Sequence, residues 1–406
     1  MTILKIGLFT DTYFPQVSGV STSIKLLKDE LIKRGHQVII FTTTDPQARG
    51  EEGIVRLPSV PFVSFEDRRV AYGGFDRCLK IAREYELDIV HTHTEFSLGL
   101  AGRFVASRLK IPTVHTYHTM YENYTHYILK GYLIRPLHVK LLSKMFCSGA
   151  DGIIAPSQLT YDTLRQYGIK EKMAIIPTGV TIPTYDANVK SQLRQQLNLA
   201  DDHQVLLSLS RLSKEKNIAA VIEAMAMLHP QLPQARLVIV GDGPERDALE
   251  KQVTQLQLQS CVQFTGQIDH DSVWKYYQMA DLYVNASTSE SQGLTYLEAF
   301  ANQLPIIAKR NDYLAEIMTN ASFGQLFEEE ETFAQTILAY LTAKQANEIA
   351  PIDSQLLRPL SADYFGEQVE QFYQEVIQTY QQTENGWFDR IYQSAKELYH
   401  DIMLGE

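Results

Sequence analysis

The chain alternates short, apolar, β-branched runs with amphipathic helical segments along almost its whole length. The apolar runs are 5–10, 37–42, 88–93, 112–117, 151–157 and 172–179 in the first half, and 204–210, 235–243, 261–266, 281–287 and 304–309 in the second. Strands that are apolar throughout belong to parallel sheets with helices on both faces. A polar stretch, 181–202, separates the two sets of runs. The sequence therefore predicts an α/β fold with two doubly wound, Rossmann-like domains.

We expect a first domain over residues 1–185, a second over 186–383 and a separate amphipathic helix over 384–406. The last segment has one apolar stripe at helical spacing, formed by Trp387, Ile391, Ala395, Leu398, Tyr399 and Ile402. Its other face is not rich in Lys or Arg, so packing against a domain is favoured over a membrane anchor.

Composition excludes several classes of protein. Of the 406 residues, 45% are hydrophobic and 21% charged, which is typical of a soluble globular protein. No run reaches the roughly 18 apolar residues of a transmembrane helix. Lys5 and Asp11 interrupt the amino-terminal apolar run, which indicates a buried strand and not a signal peptide. Cys78, Cys147 and Cys261 are too far apart for a zinc knuckle and odd in number, which fits a reducing cytoplasm.

The net charge of −11 is unevenly distributed. Residues 1–180 contain 22 basic and 17 acidic residues, and the remainder contains 15 basic and 31 acidic residues. A basic half in an acidic protein indicates that one domain meets an anionic surface. No nucleic-acid motif accompanies this charge, so nucleic acid is not the expected partner.

Ligands of open parallel sheets bind at the carboxyl ends of the strands, and three loops at such ends contain polar groups. After the first strand, Gly19 stands where a helix begins, and a phosphate or sugar could approach the free amides there. After strand 204–210, Arg211 and Lys216 lie within one short loop. An arginine fork and a lysine point charge suit a diphosphate, although a solvated loop explains such a run equally well.

The third loop is the most informative. It follows strand 281–287 and contains Glu290 before a glycine turn at Gly293 and Glu298 within the next helix. The amides of Gly293, Leu294 and Thr295 would open that helix toward a phosphate. Glu290 is placed to accept hydrogen bonds from sugar hydroxyls, and Glu298 is within reach of a ribose diol. A capping carboxylate and a solvated helix residue are the structural alternative.

These motifs resemble, in order, those of the retaining glycosyltransferases of family 4, which have the GT-B fold. The resemblance covers nearly the whole chain and includes Gly241 within the run Val-Gly-Asp-Gly-Pro at 240–244. It implies a nucleotide-sugar site to which Gly241 contributes. It also implies that Arg211 and Lys216 bind the donor diphosphate and offset leaving-group charge. The two glutamates of the Glu-x7-Glu signature would hold the transferred sugar and the ribose.

Two departures from the family pattern bear on donor selectivity alone. Ser18 stands where many members have a second glycine, and Gln292 stands where many have phenylalanine. Neither change removes a charged group.

Six of the eleven histidines fall between positions 91 and 138 of the basic half. They are His91, His93, His115, His118, His126 and His138. A zinc site is one interpretation, but no cysteine or regularly spaced carboxylate accompanies them, and hydrogen bonding in a core is commoner. The family resemblance implies that His118 faces the transferred sugar and orients the acceptor, with His93 and His115 as supports.

Residues 128–147, from Ile128 to Cys147, contain four basic residues and no acidic residue among leucines and aromatics. The basic residues are Lys130, Arg135, Lys140 and Lys144. This pattern suits a helix on an anionic leaflet, and an amphipathic helix packed on the sheet is the alternative. The preceding run His-Thr-Tyr-His-Thr-Met-Tyr-Glu-Asn-Tyr-Thr-His-Tyr resembles a segment of bacterial diacylglycerol glucosyltransferases.

The resemblance therefore implies a peripheral enzyme on the cytoplasmic face of the membrane. It would transfer glucose from UDP-glucose to the 3-hydroxyl of 1,2-diacylglycerol with retention, for glycolipid and lipoteichoic acid anchor synthesis. No Asp-x-Asp metal motif is evident, so we expect no metal and no cofactor besides the donor. The alternatives are a family member that adds a second hexose, a non-catalytic sugar-nucleotide sensor on membranes, and a dinucleotide-dependent oxidoreductase. The oxidoreductase is disfavoured because the first loop lacks Gly-x-Gly-x-x-Gly.

Overall fold

The computed structural model describes residues 2–16, 18–62, 65–118, 136–269, 272–287 and 293–382. The chain forms two compact units. Unit 1 comprises Met1–Gly179 and a segment that begins at Ala362, and unit 2 comprises Val180–Ser361. Each contains a parallel sheet with helices on both faces, so the prediction of two Rossmann-like domains is confirmed.

Unit 1 is built on a seven-stranded sheet. The strands of unit 1, including two outside this sheet, are β1 (Lys5–Phe9), β2 (Gln37–Thr43), β3 (Ile54–Leu57), β4 (Ser59–Phe62), β5 (Phe65–Ala71), β6 (Ile89–Thr92), β7 (Thr113–Thr116), β8 (Gly152–Ala155) and β9 (Met173–Ile175). Its first helices are α1 (Gly19–Lys33), α2 (Phe75–Tyr85), α3 (Ser97–Leu109), α4 (Pro136–Cys147) and α5 (Gln158–Gln166). The sheet order is β3-β2-β1-β6-β7-β8-β9, and β4 and β5 form a separate antiparallel pair.

Unit 2 is built on a six-stranded sheet with the order β12-β11-β10-β13-β14-β15. Its strands are β10 (Gln204–Leu209), β11 (Ala235–Val240), β12 (Val262–Gly266), β13 (Leu282–Asn285), β14 (Ile306–Lys309) and β15 (Gly324–Phe327). Its helices are α6 (Ala187–Gln196), α7 (Ile218–Leu228), α8 (Arg246–Gln255), α9 (Val273–Met279), α10 (Leu294–Ala301), α11 (Asp312–Ile317), α12 (Glu330–Gln345) and α13 (Ser354–Leu357). The order is that of a dinucleotide-binding fold.

The helix α14 (Ala362–Gln382) belongs to unit 1, although the expected second domain extended to residue 383. The reason is packing: Phe372, Tyr373 and Val376 are buried in the apolar core beside β1 and α1. Each such buried side chain stabilises the folded state by roughly 1.5–3 kcal/mol. Gly152 of β8 lets the helix approach, because a Cβ there would lie 2.6 Å from Val376 Cγ2.

The expected carboxyl-terminal helix, 384–406, lies outside the described residues. Within the described ranges, no helix combines the length and apolar character needed to cross a bilayer.

Candidate functional site

The strand order of unit 2 reverses between β10 and β13. Such a reversal leaves a crevice at the carboxyl ends of the two flanking strands, where ligands of this fold bind. The loop with Arg211 and Lys216 follows β10, and the turn at Gly293 follows β13. The fold therefore places the predicted donor-binding loops beside each other at one edge of the sheet.

The loop after β10 is anchored by its backbone. Buried Leu212 donates its amide to the carbonyl of Asp242 at 3.0 Å, and its carbonyl accepts from the amide of Glu245 at 3.1 Å. This anchoring leaves Arg211 exposed and Lys216 half-buried. The two cations therefore project from a fixed turn at the crevice edge.

Gly241 contacts this loop through its backbone. It has a φ of +131°, and a Cβ at this position would lie 2.0 Å from the carbonyl oxygen of Ser210. Only glycine permits so close an approach. The structure thus gives Gly241 a packing contact that supports the Arg211 loop, which the sequence pattern alone did not indicate.

The loop after β13 is tied to the loop after β10. The Ser287 hydroxyl donates to the carbonyl of Glu215 at 3.2 Å, and the Tyr283 hydroxyl donates to the carbonyl of Leu209 at 3.1 Å. Glu290 lies in 288–292, outside the described residues. Its assignment as a sugar ligand stays a prediction.

Gly293 precedes α10 with φ 63° and ψ 65°, a left-handed conformation that suits glycine. A Cβ here would lie 2.5 Å from Tyr296 Cδ2. Gly293 has no side chain that could cap the helix, and the amides of Leu294 and Thr295 lie at the positive end of the helix dipole.

Glu298 lies within α10, and its Oε2 accepts a hydrogen bond of 2.8 Å from the buried Tyr277 hydroxyl. Burial raises the pKa of Glu298 to about 7, and the Tyr277 hydrogen bond opposes this shift. A carboxylate held in place and poised near neutral pH is suited to accept hydrogen bonds from a diol.

In unit 1 the strand order reverses between β1 and β6. Asp11, in the loop after β1, accepts hydrogen bonds from Thr94 Oγ1 at 2.5 Å, from Leu98 N at 3.1 Å and from Ser97 Oγ. This carboxylate caps the amino terminus of α3, and burial raises its pKa. The sequence pattern predicts no role for Asp11, and an acidic residue directly after a buried strand is the only signal for it.

Gly19 is the first residue of α1, and Ser18 is its N-cap. Ser18 Oγ accepts from the amide of Ser21 at 3.1 Å, and Ser21 Oγ accepts from the amide of Ser18 at 2.7 Å. This reciprocal capping box occupies two amides. A ligand at this helix end would therefore meet the amides of Gly19 and Val20.

The histidines divide between two faces of the unit 1 sheet. His115 lies on the face of α3, where its Nδ1 is 2.9 Å from Thr92 Oγ1 and its Nε2 is 3.4 Å from Glu95 Oε1. On the other face, His93 Nδ1 lies 3.0 Å from His118 Nε2. His118, the predicted acceptor-side residue, is half-buried at the carboxyl end of β7.

Both histidines of this pair are neutral. Burial lowers the pKa of His118 to about 3 and the pKa of His93 well below its ordinary value of 6.5. His126 and the side chain of His138 lie outside the described residues. Where the chain is described, no three His, Cys, Asp or Glu side chains are grouped to hold a metal ion.

The predicted membrane-facing segment, 128–147, is described from residue 136 as α4. Phe146 is buried, and the Arg103 guanidinium stacks 4.3 Å above its ring. Lys140 is exposed and Met145 is 58% exposed. The described part of this segment therefore packs through one face and presents a cationic and apolar face to solvent, whereas Lys130 and Arg135 lie outside the described residues.

Comparison with known proteins adds to this geometry. The family model for Glycosyltransferase Family 4 matches residues 17–182, and that for Glycosyl transferases group 1 matches residues 189–350. The chain is 48% identical to the alpha-monoglucosyldiacylglycerol synthase of Streptococcus pneumoniae over 92% of this chain and 86% of that protein. This chain is a family 4 glycosyltransferase. The glycosyltransferase is also 33% identical to the Acholeplasma laidlawii enzyme of the same name, over 82% of this chain and 87% of that protein.

Solved structures support the fold of this glycosyltransferase. HepE of Anabaena in complex with UDP matches with a TM-score of 0.72, covering 92% of this chain and all of that chain at 19% identity. The predicted GT-B architecture is thereby confirmed.

Proposed function

We propose that this glycosyltransferase transfers glucose from UDP-glucose to the 3-hydroxyl of 1,2-diacylglycerol, with retention, to give α-monoglucosyldiacylglycerol. The single observation that carries the proposal is the 48% identity with a curated alpha-monoglucosyldiacylglycerol synthase over 92% of the chain. The geometry of unit 2 supports the donor part, because cations, the amino-terminal amides of α10 and a carboxylate lie at or near the strand ends of one switch point.

The donor diphosphate would bind between the loop after β10 and the amino terminus of α10. Arg211 offers a planar fork of donors and Lys216 a compact charge, and both suit phosphate oxygens. The amides of Leu294 and Thr295 add the positive end of a helix dipole. Glu298 would accept the ribose hydroxyls, and Glu290 the hydroxyls of glucose.

Catalysis would follow from stabilisation of the leaving group. The bond between C1 of glucose and the diphosphate oxygen breaks, and a bond from C1 to the acceptor oxygen forms on the same face. The departing diphosphate oxygen takes the proton of the acceptor hydroxyl. Arg211 and Lys216 stabilise the charge that develops on UDP, and such preorganised groups contribute the most where charge changes most.

The leaving-group charge would be balanced by protein groups, with no metal or further cofactor. Two side-chain cations and a helix amino terminus face a diphosphate that carries about two negative charges. We expect the rate to be unchanged when a chelator such as EDTA is added. A rate that falls with EDTA and recovers with Mg²⁺ would contradict this part of the proposal.

The acceptor would be reached at a membrane surface, from the cytoplasmic face. Exposed Lys140 and Met145 of α4 provide charge and an apolar contact, and Lys130 and Arg135 continue the basic pattern in sequence. Each cation near an anionic leaflet contributes on the order of 1 kcal/mol. His118 would orient the acceptor hydroxyl or the glucose.

Product analysis tests the proposal directly. Purified protein is incubated with UDP-glucose and vesicles that contain diacylglycerol, with or without anionic lipid, and the glycolipid is identified by mass spectrometry and NMR. We expect α-monoglucosyldiacylglycerol, formed faster on anionic vesicles. A product formed only from monoglucosyldiacylglycerol would indicate addition of a second hexose, and UDP binding without turnover on any lipid would indicate a sensor.

A charge-reversal pair tests the membrane contact. Lys140→Glu should reduce vesicle binding and activity on anionic vesicles by about 30-fold, because the reversal changes the charge by two and each charge near the leaflet contributes about 1 kcal/mol. Lys251→Glu changes an exposed helix lysine of unit 2 and serves as the matched control. Equal effects of the two variants would argue against a specific membrane role for α4.

A further inference from the structure

The bond between His93 and His118 constrains the protons of both rings. The atoms joined are His93 Nδ1 and His118 Nε2, 3.0 Å apart, and the rings are 29° from parallel. His93 is buried at 2% exposure. Its other nitrogen, Nε2, is also buried and meets no hydrogen-bond partner among the described residues.

Two neutral imidazoles hold two protons on four nitrogens, and one of these protons occupies the shared bond. If His118 Nε2 donates, His93 must protonate its own Nε2 and bury an N–H group without an acceptor. If His93 Nδ1 donates, His93 Nε2 is only an unpaired acceptor, and His118 carries its proton on Nδ1. Buried N–H groups without an acceptor are rarer in proteins than buried acceptors without a donor, so the second arrangement is favoured.

The ring of His91 packs against the ring of His93 and fixes its position. The two ring centroids are 4.0 Å apart. His91 is bonded at both nitrogens, to Tyr373 Oη at 2.6 Å and to Thr116 Oγ1 at 2.7 Å. The chain of contacts therefore extends from α14 through two buried rings to the histidine at the end of β7.

We propose that His93 is a positioning residue that holds His118 as the Nδ1–H tautomer, so that His118 presents a hydrogen-bond donor to the reacting sugar or acceptor. His118 then acts as an orienting donor to an oxygen atom and does not remove the acceptor proton. This assignment is consistent with a mechanism in which the departing diphosphate accepts that proton, and it rests on the proposed function for its kinetic consequences only.

The tautomer is measurable without substrate. Nitrogen-15 NMR of the full-length enzyme, labelled at histidine, distinguishes protonated from unprotonated ring nitrogens, and the His118→Asn variant assigns the His118 signals. We expect the wild-type enzyme to show a protonated Nδ1 and an unprotonated Nε2 at His118. A protonated Nε2 at His118 would overturn the proposal, whatever the acceptor of the enzyme proves to be.

Substitution of His93 separates positioning from stability. His93→Asn keeps a donor near the position of Nδ1 and should retain kcat within about fivefold, whereas His93→Leu removes the donor and should lower kcat about 100-fold, the scale of a small misplacement at a reacting centre. The KM for UDP-glucose should stay within about twofold in both variants, because donor binding is assigned to unit 2.

A third variant controls for the loss of a buried histidine. His36 is buried before β2, at the opposite end of the strands, and its Nδ1 accepts from the amide of Leu4 at 3.1 Å. His36→Leu should reduce stability and leave kcat and the His118 spectrum unchanged. If His93→Asn lost as much activity as His93→Leu, or if His36→Leu matched both, the positioning role would be refuted. If His93→Leu does not fold, the wild-type spectrum and His93→Asn still decide the question.

Discussion

In each unit of this glycosyltransferase the strand order reverses once, and polar side chains gather at the carboxyl ends of the strands beside the reversal. In unit 2 these groups are charged and accessible: Arg211 is exposed and Lys216 half-buried. In unit 1 the corresponding region is occupied by His93 and His118, which burial keeps neutral. Under the proposed function, the same fold would provide charge for an anionic leaving group in one unit and oriented neutral groups for a hydroxyl in the other.

The largest expected effect tests the charged site. Arg211→Ala should lower kcat about 10²- to 10³-fold, because it removes stabilisation of the charge that develops on UDP. Arg211→Lys keeps the charge and loses the fork, so it should be intermediate. Both are checked by steady-state kinetics with UDP-glucose and diacylglycerol vesicles.

Arg236 supplies the matched control for this prediction. It lies in β11 near the amino end of the strand, and its Nη1 donates to the carbonyl of Pro233 at 2.8 Å. Arg236→Ala should leave kcat within about twofold. An Arg211→Ala enzyme with wild-type kcat would show that Arg211 does not stabilise the leaving group.

The next effect concerns the packing of Gly241 against the loop that contains Arg211. Gly241→Ala places a Cβ 2.0 Å from the Ser210 carbonyl oxygen, in a backbone conformation unfavourable to alanine. We expect about 1–3 kcal/mol of destabilisation and, because the adjoining Arg211 moves, about tenfold weaker UDP binding. Denaturant unfolding and calorimetry measure the two quantities.

Gly50 offers a control of the same chemistry, since a Cβ there meets nothing within 4 Å. Gly50→Ala should change neither stability nor UDP binding by a measurable amount. If Gly241→Ala lost stability but bound UDP normally, the glycine would serve the fold of unit 2 and not the position of the Arg211 loop.

The sequence predicted the architecture well because most strands are apolar on both faces, and every apolar run named above coincides with an observed strand to within one residue or contains it. It missed the antiparallel pair of β4 and β5, and it missed β3 and β15, which lie at edges of their sheets and are only partly buried. Such strands lack the continuous apolar signal that burial on both faces imposes. The assignment of α14 to unit 1 also escaped prediction, because an amphipathic pattern does not specify which surface covers it.

The candidate site was predictable in part. Charged and glycine residues at strand ends, such as Arg211 and Gly293, follow from the fold rule that ligands bind there. The contact of Gly241 with Ser210 and the His93–His118 hydrogen bond could not be predicted, because both join segments that are distant in sequence. Alternation at a strand end placed His91 and His93 on one face, but it did not indicate their partners.

A third prediction concerns pH. The pKa of Glu298 is raised from 4.5 to about 7, so its carboxylate becomes protonated as pH falls from 8 to 6. If only the ionised form binds the ribose, the KM for UDP-glucose should rise about tenfold over this range. His93 and His118 stay neutral in the same window, because burial lowers their pKa values.

Glu298→Gln isolates this effect and should give a KM that does not vary with pH. The same substitution should also alter stability. A carboxyl group whose folded pKa is raised loses stabilising free energy as pH increases from 4.5 toward 7, so the variant should lose less stability across that range. A pH-dependent KM that persists in Glu298→Gln would assign the titration to another group.

The smallest expected effect concerns Tyr373, which lies at the end of the histidine contacts farthest from His118. Tyr373→Phe removes the hydroxyl that lies 2.6 Å from His91 Nδ1 and should destabilise the protein by about 1–2 kcal/mol, since a buried ring nitrogen loses its partner. The position of His91 determines those of His93 and His118. We therefore expect kcat to fall a few-fold as well, with no change in the KM for UDP-glucose.

Tyr340→Phe in unit 2 removes a buried hydroxyl that lies 3.3 Å from the Ser322 carbonyl and should affect stability alone. If Tyr373→Phe raised the KM for UDP-glucose, or if kcat fell equally in both variants, the division between a charged unit 2 and a neutral unit 1 would not hold.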